Sequence, residues 1–209
     1  RILLTHPHQD HIGGALAIKR TTGAKIAAHP ATRDLLGFEV DELLDEGDGV
    51  ATDSGAWRVL HTPGHAPGHI VLFNGGLSAM VAGDMVAGEG TILLDPPEGV
   101  LSQYLASLER MRDLKPSLLL PAHGPAITDG TTCLQHYIDH RHMRTEQIIA
   151  ALAAQPGMSA AVIASQIYAT LIPAEFLPVA TRQVLAHLHW LEAQGRAVNI
   201  DGSFHVVNG

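Results

Sequence analysis

Near its start the chain reads Thr5-His6-Pro7-His8-Gln9-Asp10-His11-Ile12-Gly13-Gly14, and this stretch constrains what the rest can fold into. Four side chains able to ligate a metal, His6, His8, Asp10 and His11, fall within six consecutive positions. The apolar run Ile2-Leu3-Leu4 ahead of them reads as a short buried strand, and the glycine pair behind them as a turn. Ligands in the turn at a strand's end can be aimed one after another at a single point. Imidazoles together with a carboxylate suit zinc or another borderline divalent ion.

Downstream, the pattern predicts short elements of both kinds. Helices are expected over 15–20 and 30–36, strands over 22–28, 57–61, 70–73 and 77–82, and a solvated acidic segment over 41–48. An amphipathic helix over 101–114 precedes a buried strand over 117–120. Short apolar strands alternating with helices place this part in the α/β class. From about residue 131 the texture changes to helices over 134–154, 159–168 and 180–194, the last stopped by Gly195. Two short strands, 197–200 and 204–207, flank Asp201-Gly202, a strong hairpin signal. Three helices and a hairpin describe a winged-helix-like α+β module over 131–209, following a first domain over 1–130.

Three later strand ends repeat the opening pattern: His65 in Pro63-Gly64-His65, Asp84 after Gly83, and His123 in Ala122-His123-Gly124-Pro125. Taken together, H-x-H-x-D-H, P-G-H, G-D and A-H-G-P in this order resemble the metallo-β-lactamase superfamily. The resemblance implies an αββα sandwich and a dinuclear site. Carried over by motif, His6, His8 and His65 hold one metal, Asp10, His11 and His123 the other, and Asp84 bridges both. His61 and His69 match no ligand position; His61 reads as structural or supporting a ligand, and His69 as near the substrate. Two ions ~3.5–4 Å apart can share a hydroxide, because coordination brings the pKa of water from 15.7 down to about 7. That hydroxide attacks a carbonyl or phosphoryl centre, with Asp10 and Asp84 as the catalytic carboxylates and no Ser or Cys nucleophile; Cys133 matches no catalytic position. The histidine-rich set favours two zinc ions over the iron of the flavodiiron branch, which carries a glutamate where His8 stands.

The last third resembles the β-lactamase-like protein 2 group, in which a winged-helix-like domain follows the hydrolase. Tyr137-Ile138-Asp139-His140-Arg141, Arg144-Thr145-Glu146-Gln147, Val184-Leu185-Ala186-His187-Leu188 and Leu191-Glu192-Ala193-Gln194-Gly195-Arg196 carry this. The superfamily implies a small ester, thioester or lactone substrate. The group, which includes a single-strand endoribonuclease, adds single-stranded RNA as an alternative, and a DNA-binding module without catalysis is a third. Charge weighs against nucleic acid: the whole chain carries a formal −8. Residues 135–209 set Arg141, Arg144, Arg182 and Arg196 against Asp139, Glu146, Glu175, Glu192 and Asp201, which is no basic footprint. The helix over 181–190 is mainly apolar, so its expected role is packing, as a cover or wall for the hydrolase.

No apolar run approaches the length of a membrane span, and no basic region ahead of a long apolar one opens the chain. A lone Cys133 fits a reducing, cytoplasmic setting. In the superfamily several strands precede the first motif, whereas here five residues precede His6. The resemblance therefore implies a sandwich lacking its first strands, with exposed edges that favour a homo-oligomer.

Overall fold

A computed structural model describes residues 1–53 and 55–207. The first unit contains β1 (Ile2–Leu3), α1 (Gln9–Ile12), α2 (Ala15–Thr22), β2 (Ile26–Ala28), α3 (Pro30–Arg33) and β3 (Glu42–Leu43). Its three strands form a parallel sheet in the order β1-β2-β3. Next come β4 (Gly49–Thr52), β5 (Gly55–His61), β6 (Ile70–Asn74) and β7 (Ala79–Gly83), then α4 (Leu101–Asp113) and β8 (Leu118–Pro121). These strands build a second sheet in sequence order, antiparallel except for the parallel pair β7/β8.

Successive side chains of a strand face opposite ways, and the core follows this alternation. Trp57, Val59, Ile70, Leu72, Ala79 and Val81 turn to one face, where they meet Leu3, Ala27 and Leu44 of the first sheet. Leu60, Val71, Phe73, Met80 and Ala82 turn to the other and pack on Tyr104, Leu105, Leu108 and Met111 of α4. The outer face of the first sheet, with Leu4, Ile26 and Ala28, is covered by Ile12 of α1 and Ala15 of α2. The layers are thus helix, sheet, sheet, helix.

The chain continues through α5 (Gly130–Ala154), α6 (Ala160–Tyr168), α7 (Leu177–Ala193), β9 (Ala197–Ile200) and β10 (Ser203–Val206). The Asp201-Gly202 turn has both φ angles positive, at 49° and 82°, as a two-residue hairpin of the primed type requires. Two long helices serve two cores. Leu134, Tyr137 and Ile138 of α5, with Ala186 of α7, join the core under α4. Ile148 and Leu152, with Val184, Leu188 and Leu191, join Ile163 and Phe204 in the terminal module.

Several local expectations need correction. The strand expected over 22–28 starts only at Ile26, because α2 runs to Thr22 and stops at Gly23 in the left-handed conformation. The acidic segment is not all solvated: it contains β3, and Leu44 is buried. β4 has no counterpart in the sequence reading. α5 starts four residues early, with Asp129 capping the Thr132 amide, and α7 starts at Leu177.

Candidate metal centre

Strand directions bring the candidate residues together. β5 and β7 flank the antiparallel β6, so they run the same way, and β8 runs parallel to β7. The C-terminal ends of all three therefore open on one edge of the sheet. The first sheet is tied to that edge by the Ile70 amide, which donates to the Thr5 carbonyl at 2.9 Å. His6 and His8 follow β1. Asp10 and His11 stand on the single turn of α1, with His8 as its N-cap residue. His65 lies in the loop after β5, Asp84 directly after β7, and His123 after β8.

Close backbone approach fixes these loops. Gly64 has φ 130°, and a Cβ there would lie 2.2 Å from the Tyr104 amide nitrogen. The following residue, His65, donates from Nδ1 to the Leu93 carbonyl at 2.9 Å, which leaves Nε2 unprotonated and facing the cluster. Asp84 is held through its own amide, which donates to His69 Nε2 at 3.0 Å.

Two groups of ligand atoms result, His6, His8, His65 and Asp84 in one and Asp10, His11 and His123 in the other. Asp84 stands between them. Its Oδ2 lies 3.5 Å from His65 Nε2 and 3.8 Å from His6 Nε2. Its Oδ1 lies 3.4 Å from His11 Nε2 and 3.6 Å from His123 Nε2. Asp10 Oδ2 closes the second group, 3.5 Å from His11 Nε2 and 3.4 Å from His123 Nε2. All seven residues predicted from the sequence are thus brought together. The first group is largely buried; the second is open, with the Asp10 side chain 61% exposed.

Burial and mutual repulsion keep the inner imidazoles neutral, while Asp84 stays ionised. Burial, then four neighbouring imidazoles, pushes His6 far below the ordinary histidine range. Burial likewise lowers His65 to about 4. Burial also opposes a charge on His11, but the adjoining Asp84 carboxylate, with Asp10, raises it overall. For Asp84 burial alone would raise the carboxyl; His11 beside it and the other surrounding imidazoles hold it low. Neutral imidazoles and an ionised carboxylate are the forms that bind metal. His6 Nε2, His11 Nε2 and Asp84 Oδ1 are buried with no hydrogen-bond partner. Three such orphans gathered around the Asp84 carboxylate are costly unless something else satisfies them. Nitrogen and oxygen donors in this number fit borderline divalent ions.

The remaining histidines are placed differently. His61 bonds the Pro67 carbonyl at 2.8 Å and stacks on His29, a structural role. His69, expected near the substrate, is instead fully buried behind the cluster, between Thr62 Oγ1 and the Asp84 amide. The sequence reading missed the cavity wall. A cavity of about 540 Å³ in front of His8, His65, Asp84 and His123 is rimmed by Glu89, Asp95 and Glu98. A second, of about 440 Å³, shares Pro96 and Pro97 with it and is lined by Val100, Leu101, Leu185, Ala186 and Trp190. The Pro-rich loop was visible in sequence, but nothing there shows that it folds over the ligands.

Comparison with known proteins yields two family matches. The metallo-beta-lactamase superfamily model matches residues 1–123, and that of the beta-lactamase associated winged helix domain matches 159–204. A beta-lactamase-like protein 2 homolog from Drosophila melanogaster is 31% identical, over 98% of this chain and 73% of its own. The homolog of that name from Caenorhabditis elegans is 32% identical, over 80% of this chain and 57% of its own. The chain thus spans between 57% and 73% of the length of these two relatives. A beta-lactamase domain protein from Burkholderia ambifaria superposes with a TM-score of 0.83 at 25% identity, covering 98% of this chain and 73% of its own. A structure described as a di-iron-bound form is 26% identical over 62% of this chain and 72% of its own, with a TM-score of 0.54.

Proposed function

Because the chain belongs to the metallo-beta-lactamase superfamily, we propose that it is a dinuclear metal-dependent hydrolase acting on a small ester, thioester or lactone. The observation that carries this reading is the Asp84 carboxylate, one oxygen toward His6 and His65 and the other toward His11 and His123. His6, His8 and His65 would hold one ion, Asp10, His11 and His123 the other, with zinc as the expected metal. When bound, the pair supplies Lewis acidity and brings the pKa of water down to about 7.

The chain's own residues set what can react there. Leu93 fixes the tautomer of His65, and His69 fixes the backbone of Asp84, so two ligands are oriented before any metal arrives. Glu89 and Glu98 rim the cavity beside Asp95, which is paired with Arg182, and no lysine or arginine is among the described residues lining it. Such a rim disfavours a polyanion and admits a neutral substrate. The apolar cleft beyond Pro96-Pro97 suits the substrate's hydrocarbon part, with Trp190 as its largest surface.

Nucleic-acid readings have less support. α7 buries Ala180, Gln183, Val184, Ala186, His187, Leu188 and Leu191, so it is a packed helix, not a free reading head. Arg144 is stacked on Tyr168, and Arg182 pairs with Asp95 at 2.6 Å.

The zinc-loaded protein should cleave members of a panel of aryl esters, acyl thioesters and lactones of increasing chain length, and Asp84→Ala should abolish that cleavage. Cleavage of a labelled single-stranded RNA oligomer alone, at low protein concentration, would overturn the substrate assignment in favour of a phosphodiesterase.

A further inference from the structure

His65 is oriented by a carbonyl, that of Leu93, which lies on no helix or strand. Yet the peptides on both sides of Leu93 are held from the C-terminal helices. The Ile92 carbonyl accepts from Arg141 Nη2 of α5, and the Leu94 amide donates to Gln183 Oε1 of α7 at 3.0 Å. Two more contacts secure the same segment. The Tyr137 hydroxyl accepts from the Ala87 amide at 2.9 Å and donates to the Ala87 carbonyl at 3.2 Å, and Arg182 pairs with Asp95.

Arg141 and Gln183 are unusual side chains to bury. Arg141 is 1% exposed, beneath the ring of Tyr104 at 5.1 Å, and its Nε has no hydrogen-bond partner. Gln183 is buried with its Nε2 unpartnered, so half of its hydrogen-bonding capacity is idle while Oε1 is engaged on Leu94. Packing alone favours apolar residues at such positions. What the two polar groups accomplish in common is to grip successive peptides, 92 and 94, around the carbonyl that sets the His65 ring.

We propose that Arg141 and Gln183 are positioning residues for His65, through which the C-terminal helices complete one half of the metal centre. The inference rests on the proposed function in taking His65 as a ligand to one of two metal ions. The partners that orient a ligating histidine typically change metal affinity 10- to 100-fold when removed. The other half, Asp10, His11 and His123, makes no contact with α5 or α7 in the hydrogen bonds above, so the effect should fall on one ion of two.

The test is stepwise zinc binding by chelator competition, with the absorption spectrum of the cobalt(II)-loaded protein and the melting temperature of the metal-free protein as companion measurements. Gln183→Met removes the acceptor for Leu94 at similar volume, whereas Gln183→Glu keeps an oxygen at the same reach. In Gln183→Met one zinc should bind about 10-fold more weakly, the lower end for a ligating histidine's direct partner, the other should be unchanged, and the cobalt bands should shift. Gln183→Glu should restore both. Should Gln183→Met fail to fold, Arg141→Lys, which keeps the charge but shortens the reach to Ile92, is read the same way. Two unaltered zinc affinities in a folded variant would overturn the assignment, as would equal weakening at both sites in step with a lowered melting temperature. Absence of zinc binding in the unsubstituted chain would sink the proposed function, and this assignment with it.

Discussion

His69 offers a quantitative test of how the cluster is built, because it is absent from the lining of the cavity in front of it and yet holds the backbone of Asp84. The ring is fully buried and neutral; its Nε2 accepts from the Asp84 amide at 3.0 Å, so Nδ1 carries the proton and donates to Thr62 Oγ1 at 2.9 Å. His69→Leu keeps roughly the volume and removes both nitrogens. The backbone N–H of Asp84 cannot be replaced and is left buried without an acceptor, a cost of about 1–3 kcal/mol. Thr62 loses its donor as well, and its remaining contact, to the His69 carbonyl, is long at 3.4 Å. With about 1 kcal/mol for Thr62 the losses sum to about 2–4 kcal/mol, and about 1 kcal/mol gained from burying a more apolar side chain leaves a net destabilisation of about 1–3 kcal/mol. His69→Gln presents an amide oxygen near the old Nε2 position and should cost about 1 kcal/mol. Urea unfolding of the metal-free proteins measures this, with an unchanged m-value as the sign that only stability has moved. A Leu variant within about 0.5 kcal/mol of the parent, or a Gln variant as unstable as Leu, would refute the reasoning.

Two further outcomes follow from buried features elsewhere. His187 is fully buried: Thr145 donates to the Arg141 carbonyl, so His187 Nδ1 donates to Thr145 Oγ1 at 2.8 Å, and burial with the charge of Arg141 lowers its pKa to about 3. The unfolded chain then binds the extra proton first, so stability falls as pH drops below 6.5, by about 1.4 kcal/mol per unit or roughly 2–3 kcal/mol at pH 4.5. His187→Gln should lose that share of the pH slope in thermal or urea unfolding. At Gly64, an alanine Cβ would meet the α4 backbone at Tyr104 in a conformation reserved for glycine. Gly64→Ala should destabilise by about 3–5 kcal/mol, visible as a lowered melting temperature even without metal.

The sequence was most legible where backbone chemistry and ligand chemistry coincide. Five of the seven candidate ligands, His6, His8, His65, Asp84 and His123, stand beside a glycine or proline after a strand, so their positions could be read without knowing the sheet order. The hairpin at Asp201-Gly202 was legible for the same reason, since only certain residues accept two positive φ angles. β4 was not, because Gly49-Val50-Ala51-Thr52 has one inward side chain and becomes a strand only by pairing with β5. The strand expected from Thr22 failed because α2 runs through Thr22 to its stop at Gly23, whose amide bonds the Lys19 carbonyl. His69 was misplaced because a histidine in a Pro-Gly-rich loop looks the same whether it faces a cavity or the core. The grip of Arg141 and Gln183 on residues 92–94 joins positions 49 and 89 apart in the chain, which no local pattern reveals.

The central claim is that Asp84 joins two metal positions built from nitrogen and oxygen donors. X-ray absorption on the zinc-loaded protein, with the zinc content measured on the same sample, addresses it most directly. Two zinc ions per chain are expected, with histidine and carboxylate scattering, no sulfur, and a metal–metal vector of about 3.5–4 Å. A single ion, a sulfur neighbour drawn from Cys133, or two ions with no vector in that range would contradict the account.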